Sequence, residues 1–500
     1  MTAPRAEQRA GTPQPIRERL LARMRTPWWA MFAICFASAV VLLDTTAVNV
    51  ALAEIGTGLD AGLDQVLWVI NAYLLSYAAL LVIGGRLADM FGPRRVFLIG
   101  LAVFIVASVG CGLAQDPGQA IAARLVQGVG AALLTPQTIV IITRVFPADR
   151  RGSAMGVWGG FAGIVAAAGP TFGGLLAATL GWRWIFYINV PVGIIGAGLV
   201  LLAVPKLESG RKQRLDVLGA AVLTAAMLAV VYALLEGEAH NWGALWGPVT
   251  VPTLFAAGVV ALAVFFLVER GRQDRDPLVP FEVLRDRNFS LMALVVGVLP
   301  CGLGGMMLLT PLYLQEVQKF SAFQAGLLVA VAPLVSVFIA PYSGKLTDRF
   351  GGKYVLIVGL GFFAGGIGLM AALIRDGSGW PVLLPGLFSV GVGMGVAFAP
   401  ASVMAFKNID PTMAGSASGV FNTTRLCGSL LGSAAIGAVL QTQLAGGDTT
   451  KAIRLTYLLP VAIMTAGALI TLAVRKSTPD AREEAAAAES APGNAQASTR

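Results

Sequence analysis

A chain of 500 residues that is 56% hydrophobic and only 13% charged cannot hide its apolar surface as a soluble globule, since about a quarter of ordinary soluble sequence is charged. The formal net charge of +9 would suit a nucleic-acid binder, but the basic residues lie between apolar runs of about 20 residues, each the length of one helical crossing. Composition therefore predicts an all-α polytopic membrane protein and excludes a nucleic-acid partner.

In chain order, residues 1–27 form a basic cytoplasmic segment. Within it IRERLLARMR puts Ile16, Leu20, Leu21 and Met24 on one side of an amphipathic helix suited to an anionic leaflet. A signal peptide is the competing reading, but the apolar run that follows is too long and the cleavage signature is weak. Fourteen crossings follow, at 28–52, 66–87, 96–114, 119–143, 153–178, 184–204, 216–236, 249–269, 289–315, 323–344, 354–374, 381–406, 413–440 and 455–474. Of 36 lysines and arginines, Arg124 and Arg425 are intramembrane. Five fall on one side (Arg183, Lys319, Arg375, Lys451 and Arg454), leaving 29 on the side of both termini. Cytoplasmic loops retain such residues, so both termini are expected in the cytoplasm. The tail, 475–500, has no apolar face and is expected to be disordered.

The chain repeats itself. GGRLADMFGPRRVF (84–97) and SGKLTDRFGGKYVL (343–356) share G-x-L-x-D-x-F-G followed by basic residues, with Asp89 and Asp348 offset by 259. GSAMGV (152–157) and GSASGV (415–420) match at an offset of 263. Two agreeing offsets indicate duplication. The domains are then a six-helix bundle over 28–204, two additional crossings with cytoplasmic linkers over 205–288, and a second six-helix bundle over 289–474. Repeats of this kind around a midplane cavity are a transporter architecture.

Intramembrane polar residues are the functional candidates. Arg124 shares a helix face with Gln127, Gly128, Ala131, Thr135 and Thr138, a stripe expected to face a water-filled cavity. No arginine stands at the duplicated position near Leu387, so the residue is not a feature of the repeated scaffold. A structural arginine neutralising a carboxylate or helix end is the alternative. Asp44, in VLLDTTAVNV, shares its face with Ala37, Val40, Ala47, Val48 and Ala51, small enough to admit a neighbouring helix or a ligand. Crossing one runs outward and crossing four inward, which places Asp44 and Arg124 within about 12 Å of the outer ends of their helices. They are expected to pair or to compete for a proton. A structural cap bonded to Thr46 or Asn49 is the alternative for Asp44. Arg425, with Ser418, Asn422 and Ser429 on its face, is a second cavity or gating candidate.

The stretches LDTTAVNVAL (43–52), GRLADMFGPRR (85–95), RLVQGVGAA (124–132), GPTFGG (169–174) and WRWIFYINVPVG (182–193), with SASGVFNTTR (416–425), resemble the major facilitator superfamily, in its fourteen-helix drug:proton antiporter branch. The sequence departs from the pattern at Ala53, Met90, Pro93 and Val165. The resemblance implies that helices one and four of each half line a central cavity. It makes Asp44, Asn49, Arg124, Gln127, Thr135, Arg425 and Asn422 candidates for proton coupling and the substrate cavity. It further implies a charge latch in short cytoplasmic loops, built from Gly85, Asp89, Gly92, Arg94 and Arg95 and from Gly344, Asp348, Arg349 and Gly351 with Lys353. Topology alone is the other reading of those basic loops. Gly169, Pro170, Gly173 and Gly174 match the motif that the family associates with antiport, where a proline kink and close contact are expected; ordinary helix packing is the alternative. WRWIFYINVPVG reads as structural, with Trp182 and Trp184 anchoring the outer interface.

The four cysteines (Cys35, Cys111, Cys301 and Cys427) lack metal-ligand spacing, and the single histidine, His240, lies in a loop, so no metal site and no histidine relay is expected. No phosphate-binding Gly-Lys-Ser/Thr loop is present, and no cofactor is expected. The leading expectation is a monomeric exporter of small amphipathic drugs or antibiotics in the bacterial plasma membrane, exchanging them for protons by alternating access. Alternatives are a dedicated exporter of one natural product, siderophore or metabolite, and a non-transporting receptor or scaffold; no repeated filter segment supports a channel.

Overall fold

The computed structural model describes residues 26–207, 216–237, 240, 242–273, 277–320, 322–375, 377–444 and 447–474. The amphipathic N-terminal segment and the tail expected to be disordered lie outside these residues. Almost everything described is helical, because in hydrocarbon only helices and closed barrels satisfy every backbone donor and acceptor internally. The first half comprises α1 (Pro27–Val50), α2 (Leu63–Phe91), α3 (Pro93–Leu113), α4 (Pro117–Val145), α5 (Arg151–Leu180) and α6 (Asn189–Ala203). Then come α7 (Val217–Glu236) and α8 (Val251–Arg270), joined by a short antiparallel strand pair, Ala244–Trp246 with Val249–Thr250. The second half comprises α9 (Arg287–Leu312), α10 (Val331–Phe350), α11 (Gly352–Leu373), α12 (Leu384–Phe406), α13 (Ala414–Leu444) and α14 (Leu458–Leu472). Thirteen described stretches are long and apolar enough to cross a membrane, and the 30-residue helix α5 occupies the fifth expected position.

Helix starts are fixed by local chemistry. Asp116, Asp286 and Asp448 each accept a hydrogen bond from the backbone N–H three residues on, at 2.9, 2.6 and 2.9 Å, satisfying donors that the helix itself leaves open. Asp216 does the same for Gly219 N at 2.9 Å and also takes Arg272 Nη1 at 3.0 Å, so the Gly219 N–H first and Arg272 second hold its carboxyl below the usual range. The last of these contacts ties the base of α7 to the end of α8.

Several ends differ from expectation in an instructive way. Hydropathy falls off near the charged residues of the repeated motif, but backbone hydrogen bonding does not, so α2 continues to Phe91 and α10 to Phe350. Asp89 and Asp348 therefore sit in the last turn of helices and not in loops. The loop itself shrinks to Gly92 in one half and Gly351 in the other, with φ of +88° and +78°, a region that only glycine enters without strain.

The halves meet through α2 against α13 and α5 against α10, with α5 also touching α12 and α4 touching α13. The inserted helix α7 lies against α2 and α13, one from each half, and its Tyr232 ring packs between Trp68 and Trp246. Within the second half α9 and α13 approach backbone to backbone at Gly428, where an added Cβ would stand 2.0 Å from the carbonyl oxygen of Gly297. Gly428→Leu is therefore expected to destabilise by at least about 1–3 kcal/mol through overpacking. Gly198→Leu, at a site with nothing within 4 Å, should leave the thermal midpoint in detergent unchanged; equal midpoints for both variants would contradict this packing.

Candidate functional site

Asp44 is in the last two turns of α1, faces the interior of the first half, and is fully buried. Its small neighbours Ala37, Ala47 and Ala51 are buried with it; Ala37 meets Gly196 of α6 and Ala47 meets Gly173 of α5, while Arg124 of α4 pairs with the carboxylate through Nη1 and Oδ2. The pair is embedded in further hydrogen bonds. Arg124 Nε donates to Val69 O at 2.9 Å and Nη1 to Gln127 Oε1 at 2.6 Å. Gln127 Nε2 donates to Asp44 Oδ1 at 2.9 Å and to Ser108 Oγ at 2.8 Å. Asn189 Nδ2 reaches both Asp44 Oδ1 and Ser108 Oγ at 3.4 Å. The Tyr73 ring lies 4.3 Å from the guanidinium carbon, and that of Phe186 at 5.8 Å. Buried ions are tolerated when paired and hydrogen-bonded in this way. The stripe on α4 thus looks inward into the half bundle and is satisfied by protein, not by the expected water-filled cavity.

Some expected members are not brought in. Asn49 is exposed and its Nδ2 donates to Thr45 O at 2.9 Å, while Thr46 Oγ1 donates to Leu42 O at 3.1 Å, so neither caps Asp44. Thr135 lies further along α4 and accepts from Tyr77 Oη at 3.1 Å. Conversely, Ser108 and Asn189 join the cluster although the sequence reading passed over both. Asn189 sits in WRWIFYINVPVG, which reads as structural; a single amide within an apolar helix was the available signal. Of its two tryptophans, Trp182 is buried and only Trp184 is exposed, so Trp182 is not an interface anchor.

A cavity of about 360 Å³ lies between the halves. Thr45 and Thr46, adjacent to Asp44 but on the opposite face of α1, line it with Tyr77, Phe363, Phe398, Arg425 and Ser429, among others. Helices α1, α9 and α12 contribute, as do α2, α11 and α13, whereas α4 supplies none of the lining residues, because Tyr77 of α2 stands in front of Thr135. Phe398 of α12 also stacks on Trp158 of α5, ring centroids 5.1 Å apart, linking the two halves. Arg425 Nη2 donates to Asn422 Oδ1 at 3.2 Å, and Asn422 Nδ2 donates to Ser418 O at 2.9 Å.

The two repeated motifs are each other's partners, crosswise. Asp89 accepts from Gly415 N at 2.7 Å, Ser416 N at 2.8 Å and Ser416 Oγ at 2.7 Å, at the start of α13. Asp348 accepts from Gly152 N at 2.8 Å, Ser153 N at 2.8 Å and Ser153 Oγ at 2.6 Å, at the start of α5. Each carboxylate thus occupies the positive end of a helix belonging to the other half. Gly85 and Gly344 make this possible: a Cβ there would lie 2.1 Å from Gly415 O and 2.3 Å from Gly152 O. Two of the basic residues reach helix-end carbonyls. Arg94 Nη2 donates to Leu201 O at 2.7 Å, and Lys353 Nζ to Leu472 O at 2.7 Å, so each sits at the C-terminal end of the last helix of its own half. Arg95 and Arg349 are exposed, the latter over the Phe350 ring at 5.2 Å. The expected acid–base latch is instead a pair of helix-end contacts.

In the antiporter-like motif, α5 is helical throughout and packs on α1 beside the acid. Added Cβ atoms at Gly169 and Gly173 would stand 1.8 Å from Thr46 Oγ1 and 2.6 Å from Ala47 Cβ. Gly174 is half-buried, and the Pro170 side chain lies outside what is described.

Two half bundles closed against each other at one end, around one cavity, define a membrane transporter. The chain belongs to the Major Facilitator Superfamily, whose profile matches residues 34–433. It is 39% identical over 425 residues to an uncharacterised MFS-type transporter of Mycobacterium tuberculosis, covering 84% of this chain and 72% of the relative. It is 36% identical over 418 residues to a puromycin resistance protein of Streptomyces alboniger, covering 82% and 81%. A solved proton:xylose symporter shares the fold with a TM-score of 0.61 at 14% identity, covering 89% of this chain and 95% of that one. The protein is a multi-pass membrane transporter of small molecules and not an enzyme.

Removing one member of the buried pair should be costly, and removing both should not. Arg124→Leu strands the carboxylate and is expected to cost about 3–5 kcal/mol, read as a lowered unfolding midpoint in detergent. Most of that loss should be recovered in Arg124→Leu with Asp44→Leu; a double variant no more stable than the single one would refute the pairing.

Proposed function

We propose that the protein exports amphipathic drugs or antibiotics in exchange for protons, by alternating access, as a monomer in a bacterial plasma membrane with both termini cytoplasmic. The observation that carries this reading is Asp44. Its carboxylate is buried against Arg124 within one half, while Thr45 and Thr46 on the same helix face the cavity. A carboxylate held between an arginine and a low-dielectric interior can exchange its partner for a proton. The same helix that carries it can register the substrate. Resistance to puromycin in a relative that matches most of this chain supports the drug class.

The crossed contacts of Asp89 and Asp348 supply the switch. Both lie at the end richest in basic residues, which this reading assigns to the cytoplasm. With that end closed the cavity faces outward, the state in which substrate leaves and a proton enters. Protonating Asp44 weakens its hold on Arg124, loosens α1 against α4, and so shifts the cavity wall at Thr45 and Thr46. Substrate entering from the cytoplasm reverses the sequence.

Efflux measured in everted vesicles should collapse when a protonophore is added. Asp44→Asn, which keeps an acceptor for Arg124, should fold and bind substrate yet lose proton-driven transport; full proton-dependent efflux at equal expression would remove Asp44 from coupling. Asp89→Asn should weaken the closed cytoplasmic end by roughly 1–3 kcal/mol, the worth of charged hydrogen bonds. Its turnover is expected to fall more than its substrate affinity, and unchanged turnover would count against the switch.

A further inference from the structure

Arg124 and Arg425 both lie within apolar helices of this protein, and the fold treats them oppositely. Arg124 is neutralised by Asp44 and surrounded by acceptors and rings. Arg425 is half-buried at the cavity wall. Its guanidinium donates to Asn422 Oδ1 at 3.2 Å, one use of a group with five N–H donors. Among the described residues no carboxylate is in ion-pair reach of it.

The cavity wall does not supply a counter-charge either. Arg425 is the one charged residue among those that line it. Asp44 is next to the lining residue Thr45, but its carboxylate points away into the half bundle and is fully buried. Thr45 and Thr46 donate their hydroxyl hydrogens to Val41 O and Leu42 O, so toward the cavity they offer lone pairs. The unspent donors are those of Arg425, with Ser429 one turn further on the same helix. A guanidinium in a membrane-embedded pocket is costly unless it is paired or hydrated, and its planar fork matches a carboxylate.

We infer that the transported substrate is an amphipathic anion, with a carboxylate or comparable acidic group on Arg425 and an apolar ring system against Phe363, Phe398 and Leu299. A cation placed there would meet like charge with no acid within the cavity to offset it. The inference rests on the export reading above and narrows it to one charge class. It also explains why the second arginine belongs to the second half alone: the position carries substrate charge, and the proton site is built elsewhere.

The test uses three fluorescent probes on one ring system: 1-pyrenebutyrate, its primary amide, and 1-pyrenebutylamine. Binding is measured on purified full-length protein in detergent, and transport in proteoliposomes with an imposed proton gradient. The carboxylate is expected to bind at least about tenfold more tightly than the other two, as a charged hydrogen-bonded pair should. Arg425→Gln should erase that preference and Arg425→Lys should keep part of it, with thermal midpoints reporting that both variants fold. An amine bound as well as the carboxylate, or a preference that survives Arg425→Gln, overturns the inference. Carboxylate selectivity without gradient-driven movement would support the anion site while refuting proton-coupled export. Gradient-driven movement of the amine alone would do the reverse.

Discussion

A charge inside a lipid-embedded bundle has no water to fall back on, so the protein has to answer it or hold water there itself. The ion pair between Asp44 and Arg124 is that answer, and the rest of the first half is arranged around it. Ala37 on α1 lies against Gly196 of α6, glycines on α5 let that helix rest against Thr46 and Ala47, and α3 and α6 each contribute one polar side chain, Ser108 and Asn189, that completes the hydrogen bonding. Such a network is stable only when all of its members are satisfied. The acid thus sits at the centre of a hydrogen-bonded network that draws side chains from α1, α3, α4 and α6.

The junction between the halves obeys a different economy of charge. Each motif carboxylate takes up the open N–H groups at a helix start in the opposite half, while Arg94 and Lys353 take up carbonyls at a helix end of their own half. Contacts of this kind are directional and short, and they lose their strength once the helix end moves by an ångström or two. They suit a junction that must be firm in one arrangement and absent in another.

Architecture was legible because the hydrocarbon imposes it: apolar runs of fixed length cannot be read as anything but spans. The duplicated motifs were visible as well, and so was the pairing of Asp44 with Arg124, from their similar depth. Three things were hidden. The inward facing of the α4 stripe could not be separated from a cavity-facing one, since periodicity fixes a face and not what lies opposite. Asn189 was masked by its aromatic neighbours. The partners of Asp89 and Asp348 were misassigned because arginines adjacent in sequence looked like the natural counter-charges, whereas helix ends carry no letter of their own.

The crossed latch has a consequence for how such a chain can vary. Asp89 touches the second copy of GSA-x-GV and Asp348 the first, which is the contact pattern of a two-fold symmetric dimer whose subunits have been joined end to end. In an unfused ancestor any substitution would have struck both latches at once. With the halves in one chain the two latches can vary separately, and one half carries a buried acid with its arginine while the other has no arginine near the corresponding Leu387. Asymmetric chemistry could thus be installed beneath a switch that remains symmetric.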